Sequence, residues 1–179
     1  MTAIGSARIL IMATDGFEES ELFGPLALLR ERGARVMLAS PDRRPIQATV
    51  LDDPGRTIAP DLTVADVMLA DYEALILPGG LINPDMLRTN AAAVSLIRRF
   101  AADDKVIGAI CHAPWLLIEA DLVRGRRVTS WPSIRTDLRN AGAIVVDEAA
   151  VTDGRLVTSR RPDDVPAFTE AVIAAIEAA

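Results

Sequence analysis

Apolar runs of four to eight residues alternate along the chain with segments whose apolar positions recur at helical spacing, the pattern of βαβ units over a mostly parallel sheet. Residues 8–13 predict a first buried strand. Residues 21–32 predict the helix after it, with Leu22, Pro25, Leu26 and Leu29 on one side and Gly33 as the stop signal. A second strand is expected over 34–39, followed by a break at residues 41–45, where prolines stand at both ends. Residues 46–61 are strand-like but punctuated by Pro54-Gly55 and Pro60, which suggests a small excursion off the main sheet. Strands are then expected over 73–77 and 105–110, separated by an amphipathic helix over 91–102. A helix over 113–122, a strand over 127–130, a helix over 133–140 and a strand over 144–146 follow. Residues 149–151 and 156–159 flank Asp153-Gly154, a hairpin signal, and a helix over 163–177 comes last.

Composition narrows the class. The 179 residues fit one domain spanning the whole chain, 1–179, and no linker or repeat divides them. Half the residues are hydrophobic, yet the apolar runs stop far short of the ~18 needed to span a bilayer, so a soluble protein with no membrane partner is expected. Residues 1–8 show no export signal, and the single cysteine suits a reducing compartment; the expected location is the cytoplasm. A net charge of -6 argues against a nucleic-acid partner, because the short basic runs at 43–44, 98–99, 124–127 and 160–161 are interrupted. With one histidine and one cysteine, neither a metal nor another cofactor is expected.

That cysteine and that histidine are neighbours, Cys111-His112, at the end of the strand expected over 105–110. Ligands in open α/β sheets gather at the carboxyl ends of strands, and a strand running straight into a helix sets its turn residue in a nucleophile elbow. A thiol there meets backbone N–H groups and a helix N-terminus, which favour the thiolate and lower its pKa. The same groups can receive an oxyanion, and Gly79-Gly80 at the end of the strand over 73–77 would let a second loop approach to add a donor. A carboxyl group beside the thiol could act as acid, base or hydrogen-bond donor once burial raises its pKa. Glu18, Glu19 and Glu21 all compete for that place, and helical spacing turns Glu21 toward the side of Glu18.

The segments DGFEESEL (15–22), LPGG (77–80), NPDMLR (83–88), AICHAPWLL (109–117), GRRVTSWPSIRTDLRNAGA (125–143) and VTDGRLVTSRRPDDVPAF (151–168) closely resemble the PfpI-type intracellular proteases and protein deglycases of the DJ-one/PfpI superfamily. The resemblance implies a flavodoxin-like three-layer α/β sandwich, mostly parallel, and a homo-oligomer built on dimers. It carries the nucleophile onto Cys111, the following histidine onto His112 and the supporting glutamate onto Glu18. It carries an acid from a neighbouring subunit, which orients the histidine, onto Asp85. No histidine follows His112, so glutaminase chemistry of the related amidotransferases is not expected.

Two functional classes follow. In the first, an enzyme, Cys111 attacks a carbonyl carbon, His112 transfers protons, Glu18 positions the thiol and N–H groups at Gly79-Gly80 and His112 hold the oxyanion. Substrates would be small reactive carbonyls, glycated adducts or peptides, the first favoured by a narrow site at a sheet edge. In the second, a redox-sensing stress protein or chaperone, Cys111 is oxidised to a sulfinic acid held by Glu18 without turnover.

Overall fold

The computed structural model describes residues 2–179. The strands and helices, in chain order, are β1 (Arg8–Met12), β2 (Phe17–Glu18), α1 (Glu19–Glu31), β3 (Arg35–Ser40), β4 (Ile46–Val50), β5 (Asp53–Ile58), β6 (Leu62–Thr63), β7 (Ala74–Leu77), α2 (Ile82–Arg88), α3 (Ala91–Ala102), β8 (Val106–Ile110), α4 (Pro114–Glu119), β9 (Arg127–Val128), α5 (Arg135–Asn140), β10 (Ile144–Val145), β11 (Ala150–Asp153), β12 (Leu156–Ser159) and α6 (Val165–Glu177). Seven of these strands form the central sheet in the order β11-β12-β8-β7-β1-β3-β6. Every pairing in it is parallel except β11 with β12, the hairpin that Asp153-Gly154 closes.

Strand alternation divides the interior into two layers. Ile9 and Ile11 of β1 face one core, with Phe17, Leu22 and Leu29 from the α1 side and Phe168, Val172 and Ile176 from α6. Leu10 and Met12 face the other, with Leu96, Ile97 and Phe100 from α3 and Leu116 and Leu117 from α4. Both faces of the sheet are therefore covered, as a near-continuous apolar strand requires. This is the flavodoxin-like α/β architecture. No helix among the described residues is long and apolar enough to cross a membrane.

The stretch at 46–61 does leave the main sheet: β4 and β5 pair antiparallel, and β2 adds to β4 to make a separate three-stranded sheet. Three expectations need correction. The strand expected over 127–130 is two residues long and pairs with β10 outside the central sheet. The helix expected over 113–122 spans only Pro114–Glu119, and the one over 133–140 is a 3-10 turn, Pro132–Ile134, leading into α5. The short strands β2 and β6 lie outside the expected elements. Pro84 sits in the first turn of α2, where it interrupts no hydrogen bond because the N–H groups of that turn have no intrahelical partner.

Candidate active site

Strand β8 delivers Cys111 at a φ of +65°, the left-handed region that costs a residue with a side chain on the order of 1–3 kcal/mol. The surrounding backbone holds it there. Cys111 N–H donates to Ser159 O at 3.0 Å, and Trp131 N–H donates to Cys111 O at 2.9 Å. The chain then turns into α4, so the residue stands at a strand-to-helix elbow with its side chain 5% exposed.

The glutamate against the thiol is Glu21, not Glu18. Glu21 lies on the first turn of α1, on the inward face with Leu22, Pro25 and Leu29, and is fully buried. Its Oε2 accepts from Gly79 N–H at 2.9 Å, and the carboxyl reaches the Cys111 side chain. Glu18 is extended, paired with Thr49 across β2 and β4, and so stands outside the helical phase that would have placed it above Glu21. Its half-buried carboxyl takes hydrogen bonds from Leu51 and Ser20 at the mouth of the site, and desolvation raises its pKa.

Burial pushes the Glu21 carboxyl up to about 8. The thiol is pushed up as well, first by burial, then by the charge on Glu21 and the hydrogen bond to it; the N–H groups of Gly80 and His112 pull the other way. The lowered thiol pKa expected from the elbow is thus not found: the helix that follows is short, and burial beside a carboxylate outweighs the backbone donors. The two groups form one coupled site, and their protons belong to the pair. Glu21 Oε1 is buried without a hydrogen-bond partner, and the hydrogen bond within the pair runs from the thiol to the carboxyl. With the proton on Glu21, its repulsion of a thiolate becomes a hydrogen bond to it.

Gly79 and Gly80 play different parts. The Gly79 N–H is engaged by Glu21, so it is not available to an oxyanion, whereas the Gly80 N–H faces the sulfur as well as the Glu21 carboxyl. Buried Asn83, in α2, fixes this loop by donating to Pro78 O at 2.8 Å and Gly79 O at 3.1 Å while accepting from Thr14 N–H at 2.8 Å. A Cβ at Gly79 would lie 2.5 Å from Glu21 Oε2, 2.6 Å from Cys111 Cβ and 2.8 Å from Ile110 O. Gly79→Ala is therefore expected to lose about 1–3 kcal/mol of stability, read by urea unfolding, and to slow alkylation of Cys111. A variant as stable as wild type would show that the loop moves aside freely.

His112 Nδ1 is 3.3 Å from Cys111 Sγ, and its Nε2 is 3.2 Å from Ser133 Oγ. The ring packs between Trp115 and Trp131, at centroid distances of 5.5 and 5.8 Å, and burial lowers its pKa. Nothing in the sequence distinguishes Ser133 from other turn serines. Asp85 is on the exposed face of α2 and makes no hydrogen bond or ion pair with His112 within the chain. Cys111, His112, Glu18, Glu21, Gly80 and Trp131 line a cavity of about 320 Å³ under the β4–β5 hairpin, which contributes Leu51 and Asp52. A larger hollow of about 640 Å³, against Phe23 and Leu26, is lined by neither Cys111 nor His112.

An elbow cysteine beside a buried glutamate, on this sheet topology, defines a class of α/β proteins with a cysteine-centred site. The chain belongs to the DJ-1/PfpI family, which it matches over residues 7–175. It is 39% identical to Deglycase TK1284 of Thermococcus kodakarensis over 90% of this chain and 94% of that protein. It is 40% identical to Protein/nucleic acid deglycase 2 of Escherichia coli, over 91% and 94% respectively. Among solved structures, Drosophila melanogaster DJ-1beta superposes with a TM-score of 0.85 at 29% identity, covering 94% of this chain and 89% of that one.

Proposed function

We propose that the protein is a cysteine-dependent enzyme acting on small reactive carbonyl compounds, as a glutathione-independent glyoxalase or a deglycase. The observation that carries this reading is the coupled Cys111–Glu21 pair with His112 Nδ1 3.3 Å from the sulfur, all opening into a cavity of about 320 Å³. A redox sensor needs a thiol and an acid, but it has no use for an imidazole held against the sulfur. The relatives named deglycases support the same reading.

On a dicarbonyl such as methylglyoxal, the thiolate adds to the aldehyde carbon, and the resulting oxyanion takes a proton to give a hemithioacetal. The hydrogen on that carbon then moves as a proton to the neighbouring carbonyl carbon while the hydroxyl proton passes to that carbonyl's oxygen. The thioester so formed is hydrolysed by water, which returns the thiol and releases lactate. No external oxidant or reductant enters. Glu18, at the cavity mouth with its pKa raised, supports the carbon-to-carbon proton transfer, and Glu21 keeps the sulfur's proton. Exposed Leu81, Ile82 and Met86 around Asp85 on α2 support assembly as a homo-oligomer.

Purified protein incubated with methylglyoxal and no glutathione is expected to form lactate, identified by NMR, and to leave a casein substrate intact. Cleavage of casein with no lactate above the blank would replace this reading with a peptidase. Accumulation of Cys111 sulfinic acid with no turnover of either would replace it with a sensor.

A further inference from the structure

We propose that Ser133 is the positioning residue for His112, its hydroxyl donating to Nε2 and so holding the imidazole in the tautomer that carries hydrogen on Nδ1, toward the Cys111 sulfur. Both ring nitrogens are engaged inside the chain: Nδ1 with Sγ at 3.3 Å, Nε2 with Ser133 Oγ at 3.2 Å. Which nitrogen bears the hydrogen is set by the partner of the other. In the thiolate form that attacks, the sulfur is an acceptor on which the N–H groups of Gly80 and His112 converge. A hydrogen on Nδ1 adds a further donor to the thiolate, and Nε2 must then accept. A free imidazole side chain favours the hydrogen on Nε2, so the opposite tautomer needs a donor, and Ser133 is the hydroxyl in place.

Ser133 is built into the elbow rather than left on a mobile surface. Its 3-10 turn, Pro132–Ile134, follows Trp131, whose N–H donates to Cys111 O at 2.9 Å, and is anchored behind by buried Ile134. The nucleophile's own backbone therefore sets where the hydroxyl stands. Trp131 stacks on the ring with an interplanar angle of 27° and Trp115 tilts against it, so the imidazole cannot swing away from either partner. Ser133 itself is exposed. When Nδ1–H protonates the oxyanion formed by addition, Nε2 takes the Ser133 proton and the serine regains one from solvent. The ring is left neutral with its hydrogen on Nε2, and it regains the starting tautomer when Nδ1 takes a proton from the water that hydrolyses the thioester and Nε2 returns one to Ser133.

This deepens the carbonyl-addition reading, and its test separates the two. His112 is the only histidine, so a long-range proton–nitrogen NMR spectrum of the nitrogen-15-labelled full chain, without a histidine tag, shows one imidazole. Wild type is expected with hydrogen on Nδ1, Ser133→Ala with hydrogen mainly on Nε2, and Ser133→Thr restored. With methylglyoxal, Ser133→Ala is expected to lose about tenfold in kcat with KM little changed, the worth of one hydrogen bond. Wild type with hydrogen on Nε2, or Ser133→Ala unchanged in tautomer, overturns the proposal. So does a tautomer shift in Asp85→Ala but not in Ser133→Ala, which would give the orienting role to an acid reaching across a subunit boundary. Wild type that turns over no dicarbonyl sinks the proposed function and leaves the spectrum to decide on Ser133.

Discussion

Glu21→Gln is expected to leave the protein folded and to lower kcat/KM for methylglyoxal by roughly two orders of magnitude or more, the usual worth of a positioned acid or base. Glutamine keeps the shape and can still accept from Gly79 N–H, but it cannot take up and return the thiol's proton. Glu18→Gln should leave the alkylation rate of Cys111 near wild type, because Glu18 faces the cavity mouth rather than the sulfur. The same substitution at Glu21 has a signature in stability. Folded Glu21 keeps its proton to about pH 8, whereas the unfolded chain releases it near the ordinary value of 4.5. Between those values the folded state binds more protons, so the contribution of Glu21 to stability falls as pH rises through the window. Below it both states are protonated and no charge is buried. Glutamine never ionises, so urea unfolding should find the variant gaining on wild type by a few kcal/mol, as an order of magnitude, between pH 5 and pH 9. Parallel stability curves would mean that Glu21 titrates normally and holds no proton for the thiol.

The sequence revealed most where one dimension carries the physics. Strands β1, β7 and β8 are buried on both faces, so they read as near-continuous apolar runs whose ends can be found to within about two residues. The Cys111-His112 elbow followed from such a strand running directly into a helix. Glu18 and Glu21 were harder because their roles depend on where helical phase begins. A helix starting at Glu19, with Glu18 still paired to Thr49, puts Glu21 in the interior and Glu18 at the mouth, and no pattern in EESEL marks that boundary. The upward push on the Cys111 thiol arises from burial beside a carboxylate on α1, far away along the chain, which local spacing cannot register. Asn83 and Ser133 act through single hydrogen bonds to residues distant in sequence, and their residue types are ordinary for turns.

Cys111→Ser should reduce lactate formation roughly a thousandfold or more, because a hydroxyl in this setting has neither the acidity nor the nucleophilicity of the thiol. The oxyanion donors at Gly80 and His112 remain, so a trace above the uncatalysed rate is expected. The combination with Glu21→Gln is more informative than either variant alone. If Glu21 works only by holding the sulfur's proton, removing it after the sulfur has gone costs nothing further, and the double variant should match Cys111→Ser within about threefold. Independent contributions would multiply instead, taking the double variant roughly another hundredfold lower. Such additive loss would show that Glu21 acts on the substrate directly, and the division of labour between Glu21 at the thiol and Glu18 at the cavity mouth would have to be abandoned. The same cycle with Glu18→Gln should give the contrasting result. A group that moves protons on the substrate keeps a share of its effect on whatever residual reaction the serine variant supports, so loss on both backgrounds is expected there.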